Sequence, residues 1–147
     1  MRSVFIDTNV LIYARSHDFP MKAAQARTWL SALTQANEAV ISPQVVNEFV
    51  AASQRRYRSL PLEEIFERAS ALLPMCHAPL DAATTINAMS IQSQYGTSWW
   101  DALIVASAVR AGCRYIVSED MQAGMRFGAV TIVNPFESSP DEVLRTH

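Results

Sequence analysis

Asp7, Glu48, Asp101 and Asp120 are scattered over more than a hundred positions, yet each stands where an apolar run meets a helix or near a helix start. A parallel α/β sheet gathers such junctions at one edge, the carboxyl end of its strands, where ligands bind in this architecture. Carboxylates crowded at one point repel one another unless a cation joins them. The pattern therefore points to a divalent metal, and through it to phosphate chemistry.

The elements that must position these acids can be read from the pattern of apolar residues. Val4-Phe5-Ile6 is a short strand buried on both faces, and Asp7-Thr8-Asn9 supplies capping residues for a short helix through Tyr13. An amphipathic helix runs from about residue 21 to 36, with Ala26, Trp29, Leu30 and Leu33 on one stripe. Ala39-Val40-Ile41 is a second strand, and Ser42-Pro43 starts a helix carrying Val45, Glu48 and Phe49 towards Tyr57. Leu60-Pro61 opens another helix, and a weak strand is expected around Cys76 to Ala78. A helix over about 81–94 closes at Gly96, and one over 99–111 closes at Gly112. Strands follow at 114–117 and 130–133, and Ser138 to His147 reads as a loosely held tail. Strands alternate with crossovers long enough for parallel pairing, so one α/β domain over residues 1–147 is expected.

Each acid also has a structural explanation. Asp7 and Asp120 follow strands and fit helix caps, while Ser98-Trp99-Trp100-Asp101 has the spacing of a capping box. Glu48 lacks that excuse, but most glutamates at the margin of an apolar stripe are simply exposed. Spacing alone supports a suspicion and no more.

The local sequences carry more. Phe5-Ile6-Asp7-Thr8-Asn9-Val10-Leu11 resembles the opening motif of the PIN-domain nucleases, including the VapC-type toxins of bacterial toxin–antitoxin pairs. Ser42 to Phe49 resembles the second acidic motif of that family, Trp100 to Ala108 the third, and Val117-Ser118-Glu119-Asp120-Met121 the fourth. The run Val130 to Phe136 resembles a subgroup ending. The motifs stand in family order and span nearly the whole chain.

The resemblance implies a three-layer α/β/α domain with a mostly parallel sheet of about five strands. It implies that Asp7, Glu48 and Asp101 surround a metal, with Asp120 as a fourth, more variable acid and Glu119 its possible substitute. Thr8, Asn9 and Ser118 stand where they can steady carboxylates or waters. It further implies a ribonuclease acting through metal-activated water and leaving 5′-phosphate and 3′-hydroxyl ends. A separate antitoxin protein and a homodimer are the implied partners.

Oxygen donors without a His or Cys cluster select Mg²⁺ or Mn²⁺ over zinc. Such ions lower the pKa of bound water and offset charge developing on phosphate. For the substrate, Arg55-Arg56-Tyr57-Arg58 lies two to three helical turns beyond Glu48, about 10–15 Å by helical rise. Arginines with an aromatic can track an RNA backbone and stack a base, although cations also favour helix ends in their own right. Arg15 and Arg126, the latter in a loop bounded by Gly124 and Gly128, are further candidates for phosphate contact. Of the adjacent Trp99 and Trp100, at least one is expected in the core.

Composition narrows the classes. With 147 residues, 50% of them apolar and a net charge of −2, the chain can bury a full core and is not coated in positive charge. Cys76 and Cys113 form no CxxC pattern and read as buried reduced thiols. The longest strongly apolar stretch, Ala102 to Val109, is too short to span a bilayer, and no signal peptide is evident, so a cytoplasmic protein is expected. A phosphatase using Asp7 as nucleophile would want a second Asp where Asn9 stands. A receiver domain would want a late lysine, but the sole lysine is Lys22, and no GxxxxGK loop is present. A non-catalytic nucleic-acid-binding or regulatory protein on the same fold is the remaining alternative.

Overall fold

The computed structural model describes residues 3–145. Its elements are β1 (Val4–Ile6), α1 (Thr8–Tyr13), α2 (Pro20–Gln35), β2 (Ala39–Val40), α3 (Pro43–Arg56) and α4 (Leu62–Leu72), then α5 (Ala82–Tyr95), α6 (Trp99–Arg110), β3 (Tyr115–Val117), β4 (Arg126–Phe127), β5 (Val130–Val133) and α7 (Pro140–Leu144). The sheet order is β2-β1-β3-β5-β4, parallel except for the β4–β5 pair. This is the α/β arrangement expected from the sequence, a mostly parallel five-stranded sheet with helices.

Val4, Phe5 and Ile6 are all fully buried. Successive side chains of a strand point to opposite faces, so β1 must be covered on both. Burying a side chain such as Phe5 contributes about 2–3 kcal/mol. The chain passes from β1 to β2 on one side, then crosses back to β3 on the other, which makes the carboxyl end of β1 a topological switch point. In register, Ile6 faces Val117, so the next residues, Asp7 and Ser118, leave the sheet side by side.

Three expectations are corrected. Cys76 to Ala78 makes only an isolated parallel bridge, Ile41 to Cys76, at the end of a 3₁₀ turn over Leu73–Met75. The fifth strand is instead β4, two residues that fold back antiparallel on β5. The expected tail contains α7, which has a reciprocal Ser139–Glu142 capping box. Val143 and Leu144 of α7 pack against the core. The indole N–H of the fully buried Trp29 donates to the carbonyls of Pro135 at 3.1 Å and Ser138 at 2.9 Å, tying this segment to α2. His147 lies outside the described residues. Cys113 is buried and Cys76 half-buried, both as free thiols. Among the described residues no helix is long and apolar enough to cross a membrane.

Candidate active site

Asp7 is the N-cap of α1, as its local sequence suggested, but the cap uses only part of its carboxylate. Its Oδ1 accepts the Thr8 amide at 2.8 Å, while Oδ2 accepts the Ser118 hydroxyl at 2.8 Å and the Asn9 side-chain amide at 3.2 Å. Only 7% of Asp7 is exposed. Burial pushes its carboxyl up to about 6; the hydrogen bonds from Ser118 and Thr8 oppose this, and the negative charges of Glu48 and Asp101 add to it.

Glu48 turns from the margin of α3 towards α1. Its Oε1 accepts the Thr8 hydroxyl at 2.9 Å, and its Oε2 accepts the Gln44 amide at 3.3 Å. The same Gln44 nitrogen donates to the Trp100 carbonyl at 3.2 Å, which fixes the start of α6 against α3. Sequence reading passed over Gln44, although its place one helical turn before Glu48 was a usable signal.

Asp101 sits in the first turn of α6. Its amide donates to the Ser98 hydroxyl at 3.2 Å, the forward half of the predicted capping box. Its carboxylate does not accept the return bond from the Ser98 amide, unlike the N3 side chains in the boxes at Asp81 and Ser139. Partial burial raises the Asp101 carboxyl above its ordinary value; Ser98 opposes the shift, and the charge of Asp120 reinforces it.

Asp120 caps no helix, contrary to one of its expected roles. It lies exposed in the bend after β3, where no helix follows before β4. Asn9 connects it to the rest: the Asn9 amide approaches Asp120 Oδ2 at 3.2 Å and Ser118 Oγ at 3.3 Å, and Asn9 Oδ1 accepts the Glu119 amide at 3.1 Å. Side chains from α1, α3 and the β3 loop, with the Trp100 carbonyl of α6, thus share one hydrogen-bonded rim.

Asp7, Thr8, Asn9, Glu48, Asp101, Glu119 and Asp120 line a single cavity of about 780 Å³. Arg55 and Arg56 line it too, as does Trp100, which is 62% exposed. Trp99 packs half-buried beside Ala102, Leu103 and Ala106. Of the other arginines named from sequence, Arg15 and Arg58 are exposed but do not line the cavity. Arg126 lies beside Arg114 and Tyr115, at the amino end of β3 and thus at the opposite edge of the sheet. Lys22 and Tyr13, not singled out by sequence, contact Glu119 at the cavity wall.

The polar lining offers oxygen donors and no His or Cys, which suits a hard divalent cation. Among the described residues, however, no three His, Cys, Asp or Glu side chains close on one point tightly enough to hold an ion by themselves. The carboxylates ring the cavity, and waters or substrate oxygens must complete any coordination, as is usual for Mg²⁺.

Acids from four separate segments of the chain thus collect at the switch point of a mostly parallel α/β sheet. The chain matches the PIN domain family over residues 4–124, from β1 past β3, and it belongs to that family. PIN domains are typically metal-dependent nucleases that use divalent ions such as Mg²⁺. No curated protein matches the chain.

Proposed function

We propose that this chain is a divalent-metal-dependent endoribonuclease and the VapC-type toxin of a toxin–antitoxin pair, working in the cytoplasm. The observation that carries the reading is the meeting of Asp7, Glu48, Asp101 and Asp120 around one cavity whose wall also presents Arg55, Arg56 and Trp100.

In this reading Asp7, Asp101 and Asp120 hold Mg²⁺ or Mn²⁺ directly or through water, and Glu48 ligates or orients the attacking water. A bound divalent ion supplies a water of lowered pKa and neutralises charge on the scissile phosphate. Thr8 and Gln44 fix both oxygens of Glu48, so its orientation is set before substrate arrives. Ser118 and Asn9 hold Asp7 in the same way. Burial of Asp7 makes its ionised form costly, and a cation offsets that cost. Arg55 and Arg56 offer bidentate contacts to backbone phosphates, and the exposed Trp100 ring offers a face for an unpaired base. The proposed partners are an RNA substrate, a separate antitoxin protein and a second copy of the chain in a homodimer.

Purified protein should cleave RNA with Mg²⁺ or Mn²⁺, leave 5′-phosphate and 3′-hydroxyl ends, and stop when a chelator is added or Asp7 is replaced by Asn. RNA bound at the same metal concentration without cleavage would instead identify a non-catalytic binding protein. A small protein encoded beside this chain that binds it and suppresses cleavage is the outcome expected for the antitoxin.

A further inference from the structure

Five acids face the cavity, but Glu119 differs from the others in already having a cation of its own. Lys22, the only lysine of the chain, reaches from the first turn of α2 and pairs with Glu119 Oε2. Its ammonium lies over three rings, 4.9 Å from the centroid of Tyr13, 5.3 Å from Phe136 and 5.8 Å from Phe19. The rings brace one another edge to face, Tyr13 against Phe136 at 5.1 Å and against Phe19 at 5.8 Å. The Tyr13 hydroxyl interacts electrostatically with both Glu119 and Lys22. Ring faces attract the ammonium, whose side chain keeps 37% of its surface exposed, and favour its place beside Glu119.

The Glu119 backbone, by contrast, serves the site: its amide donates to Asn9, whose own amide contacts both Asp7 and Asp120. Backbone and side chain of one residue are thus divided, the first bound to the acid rim and the second turned to α2. We propose that Lys22, flanked by Tyr13, Phe19 and Phe136, is a positioning residue that withholds Glu119 from the metal site, leaves Asp120 as the acid of that pair facing the cation, and so limits the cavity to one tightly bound divalent ion. The inference rests on the metal-dependent reading above and adds the number of ions and the residue that sets it.

Calorimetric titration of the metal-stripped full chain with Mn²⁺ tests it. Wild type should take up one ion. Lys22→Met, which can keep the packing against the rings, should free Glu119 and either tighten Mn²⁺ binding about tenfold or add a second ion. Lys22→Arg should behave as wild type, and the double variant Lys22→Met/Glu119→Gln, with the pair's zero net charge restored, should return to one ion of near wild-type affinity. Glu119→Gln should keep its single ion, weakened by no more than about tenfold. Arg126→Met, the same charge change at the far edge of the sheet, should leave affinity within about twofold, because solvent and salt screen charges at that range.

Melting curves confirm that each variant is folded; if Lys22→Met is not, Glu119→Gln still decides, since loss of its ion would make Glu119 a ligand and overturn the proposal. So would a Lys22→Met titration indistinguishable from wild type, or two tightly bound ions in wild type. Wild type that takes up no Mn²⁺ would overturn the metal-dependent reading as well, whereas an unchanged Lys22→Met beside a metal-binding wild type overturns this inference alone.

Discussion

Two aspartates cap helices in this molecule, Asp7 on α1 and Asp81 on α5, and each accepts an amide hydrogen bond from the first turn of its helix. Asp81 sits at the surface, caps reciprocally with Thr84 and pairs with Arg110. Its carboxyl is held below the ordinary value, first by the Thr84 amide and also by the Arg110 charge. Asp7 is buried, receives Ser118 and Asn9 in addition to its cap, and has carboxylates rather than an arginine for charged neighbours. The local motif is the same, and the surroundings give it opposite consequences. A cap with its own counter-ion is electrostatically compensated; one without leaves a buried carboxyl whose charge is uncompensated.

The comparison can be broken most directly by substitution. Asp7→Asn should lower metal-dependent RNA cleavage by about a thousandfold or more, measured as single-turnover rates at saturating Mn²⁺. The same variant should melt no lower than metal-free wild type near neutral pH, because a buried charge has been removed. Asp81→Asn should leave cleavage unchanged. Equal losses in the two variants would erase the distinction.

The dependence of stability on pH sharpens it. The Asp7 carboxyl titrates at about 6 in the folded chain against 3.8 as its ordinary value. Between those values the folded state binds more protons at Asp7 than the unfolded one, so the Asp7 contribution to metal-free stability is greatest at low pH and is lost as pH rises through about 6. The difference corresponds to about 3 kcal/mol, to be read from urea melts across pH 4 to 7. Asp101 adds to the fall with the same sign, its carboxyl also being raised. Asp81 contributes the other way, since a depressed carboxyl loses its contribution as pH falls.

A metal should reverse the slope. Mn²⁺ at about a hundred times its Kd should raise the melting temperature by roughly 5–10 °C near neutral pH. That rise should shrink as pH drops below 6, because protons compete for Asp7, and should vanish in Asp7→Asn. The smallest effect is expected at the surface cap. Asp81→Ala should lower the melting temperature by about 2–4 °C and leave the Mn²⁺-induced rise intact.

Much of this was legible before any coordinates. Buried strands such as Val4 to Ile6 and Tyr115 to Val117 announce themselves as short apolar runs, and helix limits at Ser98, Gly96 and Asp81 follow from local hydrogen-bonding chemistry. The missed elements are those whose signal is not local. Arg126–Phe127 is too short to show alternation, and it is a strand only because β5 pairs with it. The Ser139–Glu142 box was present in the sequence, but a five-residue helix is stabilised by docking near Trp29 and the core rather than by its own propensity. Arg126 follows Asp120 by only six positions, yet that loop returns along the sheet and leaves it at the other edge.

The sequence by itself determined the alternation of strands and helices, the caps, and the order of the four acidic motifs, because hydrophobic periodicity and capping act over a few residues. Only the tertiary structure decided how the acids are used. Glu48 is turned inward by Thr8, forty residues earlier in the chain, Asp7 is held by Ser118, and Glu119 is claimed by Lys22 across 97 positions. Electrostatic partnership depends on distance through space, and the crossover at the carboxyl end of β1 sets those distances.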